Sequence, residues 1–218
     1  MKKGAVFDLD GTLIDTSALH TKAWIKLFSK YGIELSKEEI EEHSGKKNIF
    51  FIELVTGKRN RNNLDAHALS REKDSIVMDI IRNEPPVLQP HAQQLLTMLK
   101  AQGTKLALAT SATKSTAELL AKDLLEIFEV AVFADDITLS KPNPEIFLLA
   151  VQKLNLKPEE CVVFEDAESG VRAAKTGGFY CVAKNNHLGQ NLTGADLIIE
   201  EYKPEELIKL FSSSGRNF

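Results

Sequence analysis

Acidic and hydroxyl side chains stand directly after three apolar segments of this chain, a pattern typical of a site for a metal ion or an anion. In chain order these polar residues are Asp8 and Asp10, Thr110 and Ser111, and Glu165 and Asp166. Continuous apolar runs are typical of buried strands, and ligands bind beyond the carboxyl ends of the strands in open parallel sheets. Because side chains alternate along a strand, Asp8 and Asp10 start on one face. These two acids, with a third acidic pair at another strand end, favour a hard cation such as Mg²⁺.

The Asp10-Gly11 dipeptide also has an ordinary structural interpretation, because Asp-Gly is a common hairpin turn. A hairpin requires a second strand immediately after the turn. Here Leu19, Ala23 and Leu27 recur at helical spacing instead. The helix that follows therefore favours a functional role for the acidic pair.

Thr110, Asp166 and Lys141 have ordinary interpretations as well. Thr110 could cap the next helix or bridge a turn, and Asp166 could act as a cap too. The neighbouring Glu165 favours a metal-binding role for Asp166. Most lysines are solvated, but a residue before proline is disfavoured in helical conformation and proline favours the first helical turn. We therefore expect Lys141 at the entrance of a helix that Pro142 opens.

The elements that must position these residues alternate between strands and helices in most of the chain. Apolar runs predict strands at residues 5–7, 105–109, 131–133, 161–164, 180–183 and 197–199, with helical patterns between them. Such alternation is typical of a parallel sheet covered by helices on both faces. The predicted fold class is therefore α/β.

One stretch interrupts that alternation. From about Ser36 to Glu84 the pattern predicts helices and no strand, and Pro85-Pro86 ends it. This helical block is an insertion just after the first strand. We predict two domains: residues 1–14 and 88–218 form an α/β core domain, and residues 15–87 form a helical cap domain.

Four short motifs occur in order along nearly the whole chain. They are FDLDGTL at 7–13, a threonine at 110 after an apolar strand, KPNPEIF at 141–147 and EDAESG at 165–170. This ordered set resembles the motifs of the haloacid dehalogenase-like superfamily of phosphohydrolases. Within that superfamily the chain resembles the branch that includes β-phosphoglucomutase and many sugar-phosphate phosphatases. The resemblance implies a Rossmann-like parallel sheet core with an inserted small α-helical cap domain.

The resemblance also implies chemical roles for the polar strand ends. Asp8 would attack phosphorus and form an aspartyl-phosphate, and Asp10 would be the general acid and base. Lys141 and Mg²⁺ would offset the repulsion between the Asp8 carboxylate and a phosphate dianion. The implied Mg²⁺ ligands are Asp8, the backbone carbonyl of Asp10 and Asp166, with Glu165 close by. Mg²⁺ is thus the expected cofactor.

Residues that bind the phosphoryl group are implied in the same way. Its oxygens would accept hydrogen bonds from the Thr110 hydroxyl, from the Ser111 amide and from backbone amides around Leu9. Lys141 would bind the same group through its ammonium.

The predicted cap contains further candidates for substrate binding. His20 matches a histidine near the active site in the β-phosphoglucomutase group, and Lys46, Lys47 and Asn48 resemble the specificity loop of the cap. The mutases usually carry an arginine where Asn48 aligns. The alternative for all four residues is a packed or solvated helical face.

Composition excludes several other classes of protein. Of 218 residues, 43% are hydrophobic and 27% are charged, which excludes wholesale disorder. The formal net charge of −4 gives no basic surplus for nucleic acid, and no apolar run is long enough to cross a bilayer. Two cysteines are too few for a disulfide framework. We expect a cytoplasmic protein, monomeric by slight preference, with no nucleic-acid or membrane partner.

Three functional hypotheses follow from the residues and the resemblance. The leading one is a Mg²⁺-dependent phosphatase that hydrolyses a small phosphorylated metabolite, such as a sugar phosphate, through an aspartyl-phosphate. The main alternative is a β-phosphoglucomutase-like phosphosugar mutase, which would use the same core residues. A non-enzymatic phospho-accepting or binding protein is the third. A dehalogenase is disfavoured because it would need neither the metal site nor Asp10.

Overall fold

The chain divides into two compact units. A computed structural model describes residues 1–41, 48–186 and 188–212. The core unit comprises Met1–Asp15, Val87–Asn186 and Asn191–Phe218. The helical unit comprises Thr16–Pro86 and His187–Gln190.

Strands and helices are numbered in chain order. They are β1 (Gly4–Phe7), α1 (Ser17–Ser29), α2 (Lys37–Glu41), α3 (Asn48–Lys58), α4 (Ala66–Asn83), α5 (Ala92–Ala101), β2 (Lys105–Ala109), α6 (Lys114–Leu125), β3 (Val130–Val132), α7 (Glu145–Lys153), β4 (Cys161–Glu165), α8 (Glu168–Thr176), β5 (Tyr180–Lys184), β6 (Leu197–Ile199) and α9 (Pro204–Leu207). Short 3₁₀ turns at 134–136, 158–160 and 208–211 complete the regular structure of the described residues.

A parallel sheet forms the centre of the core unit. Its strands, six in the part of the chain that is described, lie in the order β3-β2-β1-β4-β5-β6. This arrangement confirms the predicted α/β class. The register places Phe7 of β1 beside Leu108 of β2 and Phe164 of β4, so these three strands end at nearly the same level. The strand order reverses at β1, and open α/β sheets bind ligands at such a reversal.

Apolar packing on both faces of the sheet explains the continuous apolar runs. Every residue of β1 and β4 is buried. The rings of Phe7 and Phe164 stack with centroids 4.3 Å apart. On another part of the core, Val6 and Val163 belong to the same buried cluster as Phe147 of α7. Full burial of each of these side chains contributes about 1.5–3 kcal/mol.

The helical unit is held together by amphipathic helices. The buried residues of α1 recur every three or four positions and include Trp24 and Phe28. Phe51 of α3 packs edge-on against Trp24, with ring centroids 4.9 Å apart. Asp65 caps α4 by accepting hydrogen bonds from the amides of His67 and Ala68. Among the described residues, no helix combines the length and the apolar character needed to cross a membrane.

Two backbone segments pair at the loop of residues 8–15, within the core unit. The Asp15 amide donates to the Val87 carbonyl at 3.1 Å, and the Gln89 amide donates to the Leu13 carbonyl at 2.8 Å. His91 follows with φ of 63°. This left-handed conformation is one that glycine adopts more readily than histidine.

The helix after Lys141 begins later than predicted. Pro142 lies in a turn after a cis Lys141-Pro142 bond, and α7 begins at Glu145. The Glu145 amide donates to the Asn143 side chain at 3.0 Å, so the turn is closed locally before the helix starts. The prediction that Pro142 opens the helix is wrong by three residues.

Candidate active site

Asp8 follows the last residue of the central strand β1. Its amide donates to the Phe164 carbonyl at 3.0 Å, which extends the pairing of β1 with β4 by one step. The Asp8 carboxylate is buried. The strand order therefore places this acid at the reversal point, beside the carboxyl end of β4.

Lys141 joins two of the predicted carboxylates. Its Nζ donates to Asp8 Oδ1 and to Glu165 Oε1, each at 2.6 Å. The side chains of Lys141, Asp8 and Glu165 are only 6%, 8% and 2% exposed. The ammonium also lies 4.8 Å from the centre of the Phe147 ring, a favourable cation–π geometry. Both charge-assisted bonds are thus shielded from solvent.

Glu165 is fixed by backbone amides as well as by Lys141. Its Oε2 accepts hydrogen bonds from the amides of Asp166 and Ala167, both at 2.8 Å. A Cβ at Gly170 would lie 1.8 Å from Glu165 Oε1. The first turn of α8 therefore accommodates this carboxylate because residue 170 has no side chain.

Asp166 is held by two side chains and lies against the loop of residues 8–15. Its Oδ1 accepts from the Thr12 hydroxyl at 3.2 Å, and its Oδ2 accepts from Asn186 Nδ2 at 3.0 Å. A Cβ at Gly11 would lie 2.0 Å from Asp166 Oδ2. Gly11 also has a positive φ of 79°. The loop thus needs glycine here for both its backbone conformation and its close approach to Asp166.

The buried cluster holds more negative charge than its lysine can offset. Burial raises the pKa of Asp8 to about 7, with Lys141 opposing the shift and Glu165 adding to it. Burial also raises the pKa of Asp166 well above its ordinary value, and repulsion from Glu165 and Asp8 reinforces that shift. Burial alone would lower the pKa of Lys141, but attraction to Asp8 and Glu165 outweighs it and the net shift is upward.

The donor set fits a hard divalent cation. Two carboxyl groups contact the single ammonium and a third, that of Asp166, is repelled by both, so a second positive charge would relieve their repulsion. Mg²⁺ prefers oxygen ligands and is usually held by one or two carboxylates, with other oxygens completing the octahedron. Among residues 1–41, 48–186 and 188–212, no three His, Cys, Asp or Glu side chains are grouped as a metal site by themselves. The expected set needs only Asp8 and Asp166 as carboxylates, since its third oxygen is the Asp10 carbonyl.

The remaining predicted core residues have distinct placements. Leu9 is buried and Asp10 is partly exposed, with the backbone of Asp10 bridged to Ile14. Thr110 is buried, and its hydroxyl accepts from the Ala112 amide at 3.0 Å, the turn bridge that was its alternative interpretation. Ser111 is exposed.

The predicted cap residues lie in the helical unit. His20 Nδ1 is 3.0 Å from Nζ of Lys73. Burial and the Lys73 charge lower the pKa of His20 to about 3, so His20 is neutral at neutral pH. Asn48 Nδ2 donates to Asp74 Oδ1 at 3.3 Å. Lys46 and Lys47 lie outside the described residues.

Three polar residues that sequence reasoning missed contact the loop of residues 8–15 or Asp166. Gln89 and Asn186 donate to the Gly11 carbonyl at 3.0 and 2.8 Å. Tyr202, fully buried, donates to the Thr12 carbonyl at 2.9 Å. Asn186 carried a usable signal, since it follows β5 just as the other polar residues follow β1, β2 and β4.

Comparison with known proteins places the chain among relatives along most of its length. A model of the haloacid dehalogenase-like hydrolase family matches residues 2–178. The chain is 32% identical to a phosphorylated carbohydrates phosphatase of Thermotoga maritima, over 95% of this chain and 97% of the relative. It is 29% identical to a beta-phosphoglucomutase of Bacillus subtilis, over 91% of this chain and 89% of the relative.

A solved structure supports the same placement. The fold matches CbbY from Rhodobacter sphaeroides, crystallised in complex with phosphate, with a TM-score of 0.75 and 27% identity. The match covers 92% of this chain and 95% of that structure. The similarity therefore extends well beyond the four motifs.

Proposed function

We propose, from the premise that the chain belongs to the haloacid dehalogenase-like hydrolase family, that it is a Mg²⁺-dependent phosphatase of small phosphorylated metabolites. The predicted family and the predicted class of enzyme, a phosphatase, are confirmed by the matched model and by relatives that are phosphatases. The metal, the intermediate and the substrate are the proposed part. Two relatives, a phosphorylated carbohydrates phosphatase and a beta-phosphoglucomutase, support a sugar phosphate as substrate.

The observation that carries the proposal is the buried pairing of Asp8 with Lys141 at the strand reversal. A nucleophilic carboxylate must approach a phosphate dianion, and the repulsion must be offset by fixed positive charge. Lys141 lies 2.6 Å from Asp8 Oδ1, so its charge is already in place before substrate binds. Glu165, 2.6 Å from the same ammonium, orients it.

The reaction proceeds in two steps. An Asp8 carboxylate oxygen attacks phosphorus in line, the P–O bond to the leaving group breaks, and Asp10 donates its proton to the leaving oxygen. Water then attacks the aspartyl-phosphate at phosphorus. Asp10 takes a proton from that water, and inorganic phosphate leaves with the Asp8 carboxylate restored. Every atom and proton is therefore accounted for by the ester and one water molecule.

Other residues of the core unit hold the phosphoryl group. The backbone amides around Leu9 and at Ser111 donate to its oxygens, because successive amides in a loop form an anion-binding concavity. The Thr110 hydroxyl already accepts a hydrogen bond from the Ala112 amide, and it donates a hydrogen bond to a phosphoryl oxygen. Lys141 moves from pairing only with carboxylates to pairing with the phosphoryl oxygens as well.

Mg²⁺ is the proposed cofactor. Asp8, the Asp10 carbonyl and Asp166 would hold it, with Glu165 nearby. When bound, the ion supplies positive charge against the phosphate oxygens. Thr12 and Asn186 keep Asp166 oriented for this role through hydrogen bonds at 3.2 and 3.0 Å.

The helical unit is proposed to select the substrate. His20, Lys46, Lys47 and Asn48 are its candidate residues. His20 would act as a neutral group, since burial and the Lys73 charge lower its pKa to about 3. The second candidate function is a phosphosugar mutase, favoured by 29% identity to a beta-phosphoglucomutase. Asn48 favours the phosphatase, because the mutases usually carry arginine at that position.

The decisive experiment measures phosphate release and isomer formation from a panel of phosphorylated metabolites, with Mg²⁺ and with EDTA. The panel includes β-glucose 1-phosphate with a trace of the bisphosphate. Asp8→Asn is the blank, and it should fold because Lys141 keeps Glu165 as a partner. We expect Mg²⁺-dependent phosphate release from a few sugar phosphates by the parent and at least about 10³-fold less by the variant.

Each other outcome has a definite meaning. Glucose 6-phosphate formed without net phosphate release would replace the phosphatase by the mutase. Turnover retained by Asp8→Asn would exclude Asp8 as the nucleophile. Turnover unchanged in EDTA would exclude the metal.

A further inference from the structure

We propose that Asn186 is a positioning residue, oriented by Lys184, that holds Asp166 and the loop of residues 8–15 together as one Mg²⁺-binding unit. This inference rests on the proposed function, because it concerns the metal set of that site. Asn186 itself touches no reacting atom in this proposal. It acts through Asp166 and Gly11.

Asn186 lies just beyond the carboxyl end of β5, on the side of the sheet where the candidate metal site is. Strand β5 pairs with β4 so that Ala183 lies beside Glu165. The chain leaves β5 one residue later, at Lys184. Asn186 therefore emerges next to the acidic end of β4, at the carboxyl end of a neighbouring strand.

One amide nitrogen links two parts of the candidate metal site. Asn186 Nδ2 donates to Asp166 Oδ2 at 3.0 Å and to the Gly11 carbonyl at 2.8 Å. An amide nitrogen has two hydrogens, so both bonds can form at once. Gly11 directly follows Asp10, whose carbonyl is a proposed ligand. The bond to Asp166 and the bond to Gly11 thus fix the distance between two ligands that are far apart in sequence.

Lys184 determines which way this amide points. Its Nζ lies 2.7 Å from Asn186 Oδ1, and the Lys184 side chain is buried. An ammonium can only donate, so the amide atom that faces it must be the oxygen. The nitrogen is then directed at the Asp166 carboxylate and at the Gly11 carbonyl, which can only accept. The amide oxygen and nitrogen of Asn186 therefore cannot be exchanged, because the opposite placement would point two donors at each other.

A second anchor shows that the loop carbonyl is a fixed point. Gln89 Nε2 donates to the same Gly11 carbonyl at 3.0 Å, and Gln89 is buried. Loss of Asn186 would leave the loop tethered by Gln89 but would remove the link between the Gly11 carbonyl and Asp166 Oδ2. Asp166 would keep the Thr12 hydroxyl at 3.2 Å. We therefore expect a fault in metal binding with the fold retained.

The test is direct titration of the protein with Mg²⁺ by calorimetry, without substrate, for the parent, Asn186→Ala and Asn185→Ala. Asn185 is the matched control, because its amide donates to Glu200 at 3.0 Å instead. Loss of a residue that orients a metal ligand costs about 10–100-fold in metal affinity. We expect the Kd for Mg²⁺ to rise by that factor in Asn186→Ala and by less than about twofold in Asn185→Ala. Turnover of Asn186→Ala should recover at high Mg²⁺.

A second variant keeps the inference testable if Asn186→Ala fails to fold. Lys184→Met retains the amide but removes the donor that orients it, so its Kd for Mg²⁺ should rise in the same direction by a smaller factor. A Kd unchanged in Asn186→Ala, or in Lys184→Met if that variant alone folds, would overturn the positioning role and leave the proposed function intact. A parent protein that binds no Mg²⁺ would overturn both.

Discussion

At the scale of single residues, the balance of charge around Lys141 decides whether the buried site is stable. Asp8 and Glu165 each lie 2.6 Å from its Nζ, and all three side chains are shielded from water. Removing one partner of a buried ion pair leaves an uncompensated charge, which typically costs about 3–5 kcal/mol. Lys141 is shared by two acids, so it is the member whose loss leaves the most charge unpaired.

Lys141→Met should therefore abolish turnover and lower the free energy of unfolding by about 3–5 kcal/mol at about pH 8 in EDTA. The cost should be smaller at about pH 5, because the abandoned carboxyl groups can then take up protons. Lys30→Met is the control: Lys30 pairs with Glu72 at 2.7 Å but is 47% exposed, and such a pair contributes at most about 1 kcal/mol. Urea unfolding measures both variants. Equal losses in the two would show that burial adds nothing to the Lys141 pairing.

At the scale of elements, α8 has a glycine in its first turn at the point where the Glu165 carboxylate packs against the helix. Glu165 Oε1 occupies the space that a Cβ at Gly170 would fill, at 1.8 Å. Glu165 is locked by Lys141 and by two backbone amides, so it cannot move aside without losing bonds. The helix thus keeps a residue of poor helical propensity in order to admit a site residue.

Gly170→Ala should consequently reduce turnover at least about tenfold and cancel the gain of about 1 kcal/mol that alanine normally gives in a helix. The matched control is Gly57→Ala in α3, where the nearest heavy atom to the new Cβ is 4.0 Å away. That variant should be more stable than the parent by up to about 1 kcal/mol, with unchanged chemistry at the core site. Thermal unfolding and phosphate release distinguish the two. A Gly170→Ala protein that is both active and stabilised would contradict the packing argument.

The elements that sequence predicts well are those whose signals are local. The strand at 105–109 has the predicted bounds, because a buried parallel strand is a continuous apolar run. The strand at 197–199 also has the predicted bounds, although it is only partly buried. The start of α7 was misplaced because Pro142 sits in a turn that Asn143 closes, and proline favours turns and helix starts alike.

The candidate site also contains residues that the sequence predicts and residues that it does not. Asp8, Lys141, Glu165 and Asp166 were found by motif, and the structure brings them together in the core unit. Asn186 was missed because its contact with Gly11 spans 175 positions. Its position after the apolar run of β5 marks it as a candidate, but that signal does not tell an asparagine in a polar loop from one that orients a carboxylate. Only the strand order, which puts β5 beside β4, reveals the difference.

At the scale of the whole molecule, the acidic cluster makes stability depend on pH and on Mg²⁺. Burial raises the pKa of Asp8 from 3.8 to about 7, so between these values the folded chain holds a proton that the unfolded chain has released. Stability falls with rising pH wherever the folded state binds more protons. The Asp8 contribution is therefore fully present below about pH 4 and is lost as pH rises through about 7. Asp166 acts in the same direction.

Asp8→Asn removes the titrating group at this one position, so comparison with the parent reports the Asp8 contribution to the pH dependence of stability. In EDTA, the free energy of unfolding of Asp8→Asn relative to the parent should rise from about pH 5 to about pH 7 and then level off, since over that range the folded parent gives up the Asp8 proton that its unfolded chain has already released. With Mg²⁺ the trend should diminish or reverse, because the ion binds the ionised carboxylates of the parent and stabilises its folded state. Urea unfolding at several pH values, with and without Mg²⁺, gives both differences. A difference between variant and parent that stays flat in EDTA would mean that Asp8 is ionised in the folded chain throughout this range, with Lys141 alone sufficient to hold its charge.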